Sequence, residues 1–434
     1  MSDEFPNSVD WHALSIATLE AGDSKRALRY ARRAVEENHC FETVNFLSIC
    51  LSVEEQTQEE LKTLGDAMQL APPHLNMVHL FYRTGVALSK LGRLPQAEKF
   101  LQAASACPDA EPIVWYGYAS VLACLGNLPV AQEIFDRNIQ VLCGDGKYTH
   151  TGIIRLVEQP GSGRHNRKLP FSRKVIRGGR SWPLYEPEAV IFVAGDDVYI
   201  RRYLESVASS VQHFADNRFA IHAHIVNPSA EAFGAMDRIR ENGIALTQSH
   251  ETVDVNAMAL DFNRAYYSLS RFLMLADVQK LYDVPIIMSD LDQVLNKDPT
   301  PFLEAMAGCD TGLVRTPEAA FNLMSYISAT LVYVAPTEGG RSFGMRLRQH
   351  AFELISEPER VSWHVDQTIL AALYLNPKSI TFRDIPREMI SLSAIPKKDT
   401  SPAENIFRTE VASTNLENTG LSQISDLISR HLIT

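Results

Sequence analysis

The stretch PIIMSDLDQVL, residues 285 to 295, decides how the second half of this chain folds. Its apolar beginning predicts a buried β-strand, and the run breaks at SDLD, residues 289 to 292, where the strand should end. Two aspartates two positions apart in a loop point the same way, and their carboxylates suit a hard divalent cation. Taken alone the pattern is weak, because such a pair is often only a turn or a helix cap. Its position at the end of a buried strand favours a ligand site.

Strand and helix patterns alternate from residue 188 onward. Apolar runs such as AVIFVA (189–194) predict buried strands, and amphipathic runs such as YIRRYLESVASSVQHF (199–214) predict helices between them. This alternation predicts an α/β fold with a mainly parallel sheet that is covered on both faces. Ligands of such sheets gather beyond the carboxyl ends of the strands, where the aspartates at 196–197 and 290–292 are expected. The remaining predicted strands and helices in this region are strands 218–227, 244–250 and 284–290 and helices 229–243 and 263–282.

The first part of the chain predicts helices alone, with an internal repeat. Gly92 and Gly126 lie 34 residues apart, as do Ala97 and Ala131, and Gly22 lies 70 residues before Gly92 with a degenerate copy between them. A small residue in the turn, and alanine where two helices cross, are typical of stacked helical hairpins. The period is that of tetratricopeptide repeats, which this region resembles. A generic helical bundle is the alternative.

Three segments are therefore predicted, a helical repeat domain over residues 1–145, a linker over 146–187 and the α/β domain over 188–434. The linker is rich in Gly, Pro, Arg and Lys and shows no sustained period. Its basic residues could help to attract an anionic ligand, and a solvated linker is the alternative.

The composition excludes several classes of function. A net charge of −11 argues against a nucleic-acid-binding surface, which needs clustered basic residues. The N-terminus shows no basic or apolar signal region, and no apolar run approaches about 18 residues, so neither secretion nor a membrane span is predicted. The 6 cysteines form no CxxC pair, which favours free thiols and a cytoplasmic location.

Four stretches resemble the GT-A-fold glycosyltransferases, and above all family 8, the retaining hexosyltransferases that use nucleotide sugars. In chain order they are FVAGDDVYIRRYLESVASSV (192–211), SLSRFLMLADVQKLYDVPIIMSDLDQVLNKDPTPFLE (268–304), SYISATLVYV (325–334) and HVDQTIL (364–370). The order and the approximate spacing match the family. The resemblance implies a Rossmann-like GT-A domain that binds a nucleotide sugar, with a UDP-sugar as the expected donor.

The resemblance also implies roles in binding the nucleotide. The family binds the nucleoside just after the first strand, at positions that correspond to Ala194, Asp196 and Tyr199, with the tyrosine stacking on the base. Val198 stands where an asparagine is usual, which would remove one contact with the nucleotide. Arg271 corresponds to an arginine that supports the nucleotide and the donor sugar. The alternatives are a core aromatic for Tyr199 and a surface ion pair for Arg271.

A metal site and a sugar site follow from the same resemblance. Asp290 would contact the ribose or the sugar and, together with Asp292, would bind Mn²⁺ or Mg²⁺ and through it the diphosphate. Ser328 stands where the family has an asparagine between donor and acceptor. Asp366 and Gln367 correspond to the acid and the glutamine beside the anomeric carbon, which makes them the candidates for catalysis. An Asp-Gln pair that caps a helix is the alternative.

The C-terminal end departs from the family, which takes a third metal ligand, often His, from a late loop that is followed by a lysine for the diphosphate. After Asp366 the only histidine is His431, and the late loop reads SLSAIPKKDTSPAEN. Lys397 or Lys398 would take the phosphate role, and His364 is a candidate third ligand. The ligand set of the family is therefore incomplete here.

Two functions from different classes are compatible with the sequence. In the first, the chain is an enzyme that transfers a hexose, with retention, to a glycan precursor or a protein held by the repeats. In the second, the transferase fold is inactive and the repeats bind a protein partner as an adaptor. The aspartate pair at 290–292, together with Arg271 and Asp366, favours the enzyme.

Overall fold

The computed structural model describes residues 9–144, 156, 169, 172–177, 186–216, 218–254, 260–356, 361, 365–391 and 405–409. These residues fall into two compact units, one up to Val121 and the other from Leu122 onward. Most of the predicted linker, and the residues Lys397, Lys398, His364 and His431, lie outside the described residues. The limits predicted for the domains stay predictions.

Helical hairpins make up the N-terminal region. The helices, numbered in chain order, are α1 (Trp11–Glu20), α2 (Ser24–Glu37), α3 (Phe41–Val53), α4 (Thr57–Leu70), α5 (Val78–Lys90), α6 (Leu94–Ser105), α7 (Pro112–Cys124) and α8 (Leu128–Gly144). Helix α1 packs on α2, α3 on α4, and α5 on α6, while α2 contacts α3 and α4 contacts α5. Stacked hairpins of this kind are the repeat architecture that the sequence predicts.

The turns between paired helices share one backbone geometry. Gly22, Gly92 and Gly126 have φ of 85°, 71° and 85°, in the left-handed region where glycine carries no steric cost. Glu55 occupies the equivalent position in the degenerate copy, with φ of 57°. The N–H of Glu55 donates to the carbonyl three residues earlier, and the N–H of Gln56 donates to the carbonyl five residues before it. The same two hydrogen bonds are present at each of the three glycine turns. The degenerate copy is therefore a complete hairpin, which makes a generic bundle the wrong interpretation.

The second unit contains the sheet. Its strands are β1 (Arg173–Arg177), β2 (Ala189–Asp196), β3 (Phe219–Val226), β4 (Leu246–Val253), β5 (Ile286–Ser289), β6 (Gln293–Leu295), β7 (Thr311–Arg315), β8 (Ile327–Val334), β9 (Phe382–Asp384), β10 (Ile390–Ser391) and β11 (Phe407–Thr409). Its helices beyond α8 are α9 (Asp197–Ala215), α10 (Ala230–Glu241), α11 (Leu260–Val278), α12 (Thr300–Met306), α13 (Leu323–Tyr326), α14 (Glu338–Ile355) and α15 (Val365–Leu375). The strands and helices predicted between residues 189 and 290 are all present.

The described strands form one sheet of eight, in the order β1-β4-β3-β2-β5-β8-β7-β9, and a second sheet in the order β10-β11-β6. Strands β4, β3, β2 and β5 are parallel neighbours, as predicted, whereas β8 runs antiparallel to both β5 and β7. Strand β1 also pairs antiparallel, with β4. The sheet is thus mixed and mostly parallel, and its parallel centre lies between α9 and α11.

Strand β1 lies in the segment that was predicted to be a linker. An ion pair with an N–O distance of 2.6 Å joins Arg173 of this strand to Glu251 of β4, whose side chain is fully buried. An arginine paired with a buried carboxylate fixes the edge strand to the sheet, because separating the pair would leave a charge in the protein interior. A basic segment without periodicity gave no sign of this strand.

The two faces of β3 carry different side chains. Ile221 and Ala223 join the apolar core against α9, whereas His222 and His224 point to the α11 side. Ser249 of β4 contacts both rings, at 3.0 Å from His222 Nε2 and 2.9 Å from His224 Nδ1. Burial lowers the pKa of His222 to about 3. With Glu251 and Arg173, these residues make a buried polar network, here named the sheet cluster.

The sequence also led to expectations about the cysteines and about membrane-spanning helices. Free thiols were expected, and those described are free: Cys40, Cys50, Cys107, Cys124 and Cys309. None of the described helices is long and apolar enough to cross a membrane.

Candidate active site

The SDLD loop lies where β5 ends, next to the carboxyl end of β2. The N–H of Asp290 donates to the Thr330 carbonyl of β8 (3.0 Å), and the N–H of Gln293 donates to the Asp290 carbonyl (3.1 Å) and closes a turn. Leu291 is only 4% exposed and belongs to the core. Because Leu291 points inward, its neighbours Asp290 and Asp292 point outward together. The two aspartates therefore belong to a turn, and this turn exposes their carboxylates at the edge of the sheet where α/β folds bind ligands.

Arg271 of α11 connects this loop to a distant helix. Its side chain is buried, one guanidinium nitrogen pairs with Asp290 Oδ1, and another lies 3.1 Å from Asp366 Oδ2. Burial lowers the pKa of the guanidinium, but the two carboxylates outweigh that effect and raise it overall. The alternative of a surface ion pair for Arg271 is wrong. We name Arg271, Asp290, Asp292 and Asp366 the edge cluster.

The acids of the loop are held close to one another. Although 37% of the Asp290 side chain is open to solvent, burial raises the pKa of its carboxyl to about 6, against the opposing effect of Arg271. The nearby carboxylates of Asp292 and Asp366 raise the pKa of Asp290 further. Burial also raises the pKa of Asp292. Acids that destabilise one another's charged form are a common feature of sites that bind cations.

Asp366 and Gln367 stand in the first turn of α15. Asp366 Oδ1 accepts the backbone N–H of Gln367 at 2.9 Å, while its other oxygen accepts from Arg271. Asp366 is buried and Gln367 is half-buried. The aspartate therefore places a negative charge in the first turn of its helix, where the helix dipole favours it, and also belongs to the edge cluster.

The predicted nucleoside end lies at the start of α9. Asp196 accepts the backbone N–H of Tyr199 at 2.8 Å and so caps the helix. The Tyr199 side chain is 53% exposed and its ring lies 5.5 Å from that of Tyr203, so a core aromatic is the wrong interpretation. Burial, Tyr203 and the carboxylates of Asp292 and Asp196 raise the pKa of Tyr199. The Tyr199 hydroxyl therefore lies close enough to the SDLD loop for the charge of Asp292 to affect its pKa.

The structure also gives the contacts of Ala194 and Ser328, which the sequence predicts to bind the donor. Ala194 pairs with His224 in the sheet and is half-buried. Ser328 Oγ lies 2.7 Å from the hydroxyl of Thr330, on the strand whose carbonyl accepts from Asp290. Asp197 lies at the same edge of the sheet. Its carboxylate accepts hydrogen bonds from the Arg201 guanidinium at 2.8 Å and from the backbone N–H of Ser229. The sequence analysis did not single out Thr330 and Tyr203, although both lie within the stretches 325–334 and 192–211 that carry the resemblance.

The metal site stays a prediction, and the residues present can be compared with what a divalent cation requires. Asp290 and Asp292 offer hard carboxylate oxygens, which suit Mn²⁺ or Mg²⁺ and leave positions for phosphate and water. Within the part of the chain that the structure describes, no group of three His, Cys, Asp or Glu residues could hold a metal ion. His364, His431, Lys397 and Lys398 lie outside the described residues, so the third ligand and the phosphate lysine stay predictions.

Solved structures similar to parts of this chain fall into two groups. A structure of the galactosyltransferase LgtC with donor and acceptor sugar analogues is 16% identical over 56% of this chain and 95% of its own, with a TM-score of 0.37. The bifunctional glycosyltransferase WbbM is 13% identical over 54% of this chain and 47% of its own, with a TM-score of 0.36.

The second group consists of helical repeat proteins. MamA of Desulfovibrio magneticus RS-1 is 22% identical over 33% of this chain and 80% of its own, with a TM-score of 0.30. YrrB, a tetratricopeptide protein with an unusual peptide-binding site, is 18% identical over 33% of this chain and 74% of its own, with a TM-score of 0.29. No protein-family model and no curated protein matches the chain. At these scores the likenesses add nothing to what the side chains of the edge cluster indicate.

Proposed function

We propose that the α/β unit transfers a hexose from a nucleotide sugar, a UDP-hexose, to an acceptor with retention of the anomeric configuration. The observation that carries the proposal is the buried Arg271 that joins Asp290 to Asp366 at the carboxyl edge of the sheet. A buried cation costs free energy unless it is paired, and here its partners are residues that face a possible ligand. Such an arrangement positions acids rather than merely stabilising a core.

The donor is a sugar diphosphate, so negative charge builds up on the leaving group as the bond breaks. A bound Mn²⁺ or Mg²⁺ would neutralise that charge, and Asp290 and Asp292 are the residues that would hold it. Arg271 would keep Asp290 fixed through a charge-assisted hydrogen bond, which is stronger and more directional than a neutral one. Tyr199 and Asp196 would bind the nucleoside at the neighbouring strand end.

Asp366 and Gln367 would act on the sugar. The anomeric carbon becomes positively charged in the transition state, and a fixed carboxylate stabilises such charge without having to reorganise. Asp366 is fixed by Arg271 and by its own helix turn. With these acids committed to metal and sugar, the leaving phosphate would take the proton of the acceptor, which agrees with retention.

The acceptor would be a glycan precursor or a protein that the helical repeats hold, and the cytoplasm stays the predicted compartment. An inactive adaptor is less favoured, because a protein that binds partners only through its repeats has no need of the edge cluster.

Ligand-dependent stabilisation of the full chain tests the proposal. UDP with Mn²⁺ should raise the melting temperature, because a ligand that binds only the native state stabilises it. Asp292→Asn should remove most of that shift. Asp283→Asn is the matched control, since Asp283 is 89% exposed in the loop before β5. A parent that does not respond to UDP with Mn²⁺ contradicts the proposal. An Asp292→Asn variant that responds like the parent contradicts the metal assignment.

Turnover and stereochemistry are tested separately. Nucleotide sugars should be hydrolysed slowly in the absence of acceptor, and a screen of donors would identify the sugar and the base. Proton NMR of the anomeric signal in the product then distinguishes retention from inversion. A β-linked product from an α-linked donor would require a general base and would overturn the retaining assignment.

A further inference from the structure

Gly195 occupies a position where the end of β2 and the SDLD loop touch. A Cβ placed on Gly195 would lie 2.5 Å from Leu291 Cδ1 and 3.4 Å from the Cβ of Tyr199. Real Cβ atoms do not approach other atoms as closely as 2.5 Å, so any side chain at position 195 would displace Leu291. Gly195 is not among the described glycines with positive φ. Gly195 therefore leaves space for the end of the Leu291 side chain, and its backbone conformation does not call for a glycine.

The strand pattern explains why the space is there. Ile191 and Val193 point from β2 into the core on the α9 side, and Gly195 is the next position on that face. The alternation of the strand predicts a further side chain at position 195, on the same face as Ile191 and Val193. Leu291, which is 4% exposed and belongs to the same core, fills the place instead. The loop thus inserts its one apolar side chain into a gap at the end of the neighbouring strand.

The two contacting residues stand beside the two halves of the proposed donor site. Gly195 directly precedes Asp196, whose carboxylate caps the helix that carries Tyr199. Leu291 stands between Asp290 and Asp292. The close approach of Gly195 and Leu291, together with the pairing of β2 and β5, therefore bears on the distance between the nucleoside end of the site and the diphosphate end.

We propose that Gly195 and Leu291 are positioning residues that set this distance, an inference that rests on the proposed function. A nucleoside diphosphate would contact both ends at once, so a change in their separation would force it out of the conformation that fits both. Displacements of about 1 Å can cost on the order of 10²-fold in rate when they misplace a reacting group. Neither residue needs to touch the ligand.

A double-mutant cycle in the full chain tests the contact. Gly195→Ala adds the Cβ that meets Leu291, and Leu291→Val removes the Cδ1 atom that it meets. The Kd of UDP in the presence of Mn²⁺ is measured for the parent, both single variants and the double variant. We expect Gly195→Ala to raise the Kd about 10-fold, Leu291→Val to raise it 2- to 3-fold, and the double variant to resemble Leu291→Val.

Gly312→Ala is the matched control for steric damage away from the site. A Cβ on Gly312 would lie 2.4 Å from Met306 Sδ and 3.1 Å from the Cβ of Tyr333, in the core beside β7. This variant should lose thermal stability and keep the parental Kd. A purely structural role for Gly195 would make the Kd of its variant resemble that of Gly312→Ala, and that outcome overturns the inference.

The remaining outcomes also decide the matter. Effects of Gly195→Ala and Leu291→Val that multiply in the double variant mean that the two residues act independently, which contradicts the inference while leaving the proposed function intact. If Gly195→Ala does not fold, Leu291→Val alone must still raise the Kd more than Gly312→Ala does. A parent that binds no UDP with Mn²⁺ overturns the proposed function, and the inference with it.

Discussion

The α/β unit contains two clusters of buried polar side chains, and they differ in where their charged groups point. In the sheet cluster, Glu251 and its histidine neighbours are fully buried, and the carboxylate pairs with Arg173 inside the protein. In the edge cluster, Arg271 is equally buried, but 37% of the Asp290 side chain is open to solvent. Burial and ion pairing are thus common to both, and only the second presents charge to solvent. Under the proposed function, the sheet cluster contributes stability and the edge cluster contributes chemistry.

The largest expected effect comes from removing the arginine of each cluster. Arg271→Met and Arg173→Met each leave a buried carboxylate without its partner, which should cost about 3 to 5 kcal/mol of unfolding free energy. Only Arg271→Met should also abolish UDP-dependent stabilisation and nucleotide-sugar hydrolysis. Denaturant unfolding measures the first quantity, and a hydrolysis assay below the unfolding transition measures the second. An Arg173→Met variant that is folded and inactive would show that the sheet cluster is also needed for activity, which contradicts the division between the two clusters.

The next effect concerns acid and the sheet cluster. The pKa of His222 is about 3 in the folded protein, so the unfolded chain, with its ordinary histidine pKa of about 6.5, binds more protons between these values. Stability contributed by neutral His222 is complete above about pH 6.5 and is lost as the pH falls toward 3. The loss should reach about 3 kcal/mol at pH 4.

His222→Gln should flatten this dependence, and His213→Gln, at an exposed position of α9, should leave it unchanged. Unfolding free energies at pH 7 and pH 4 provide the measurement. Equal slopes for the parent and His222→Gln would show that the acid response arises elsewhere.

The smallest of the effects concerns Gln367, the neighbour of Asp366 in the edge cluster. Gln367→Ala should lower turnover about 10- to 100-fold, equivalent to about 1.4 to 2.7 kcal/mol, with little change in nucleotide affinity. Asp366→Asn should cost more, because it removes a charge from a residue that Arg271 fixes. Comparison of kcat and KM for a hydrolysed nucleotide sugar checks both variants. A rise in KM at constant kcat for Gln367→Ala would place this residue in ground-state binding instead.

Much of the fold could be predicted because burial leaves a pattern in the sequence. Strands such as β2 and β3 are buried on both faces and therefore appear as continuous apolar runs, and the parallel centre of the sheet follows from the helices between them. The direction of β8 could not be predicted, because an apolar run is the same in either orientation. Strand β1 was missed, since a short basic segment becomes a strand only through its pairing with β4.

The residues of the edge cluster could be named from the sequence, but their contacts could not. Arg271 lies 19 residues from Asp290 and 95 from Asp366, and only the fold brings the three together. The sheet cluster went unnoticed because His222 and His224 fit an ordinary strand pattern, and their partners lie on β4. The role of Gly195 depends on the position of a single side-chain carbon, which no pattern in the sequence records.

Glu55 has a consequence for how the helical repeats come apart. In a linear array each hairpin is stabilised mainly by its immediate neighbours, so the array opens first at its weakest joint. A side chain in the left-handed region costs roughly 1 to 2 kcal/mol that a glycine would not. We therefore expect local unfolding of the array to begin at the turn between α3 and α4, so that the amide protons there exchange earliest.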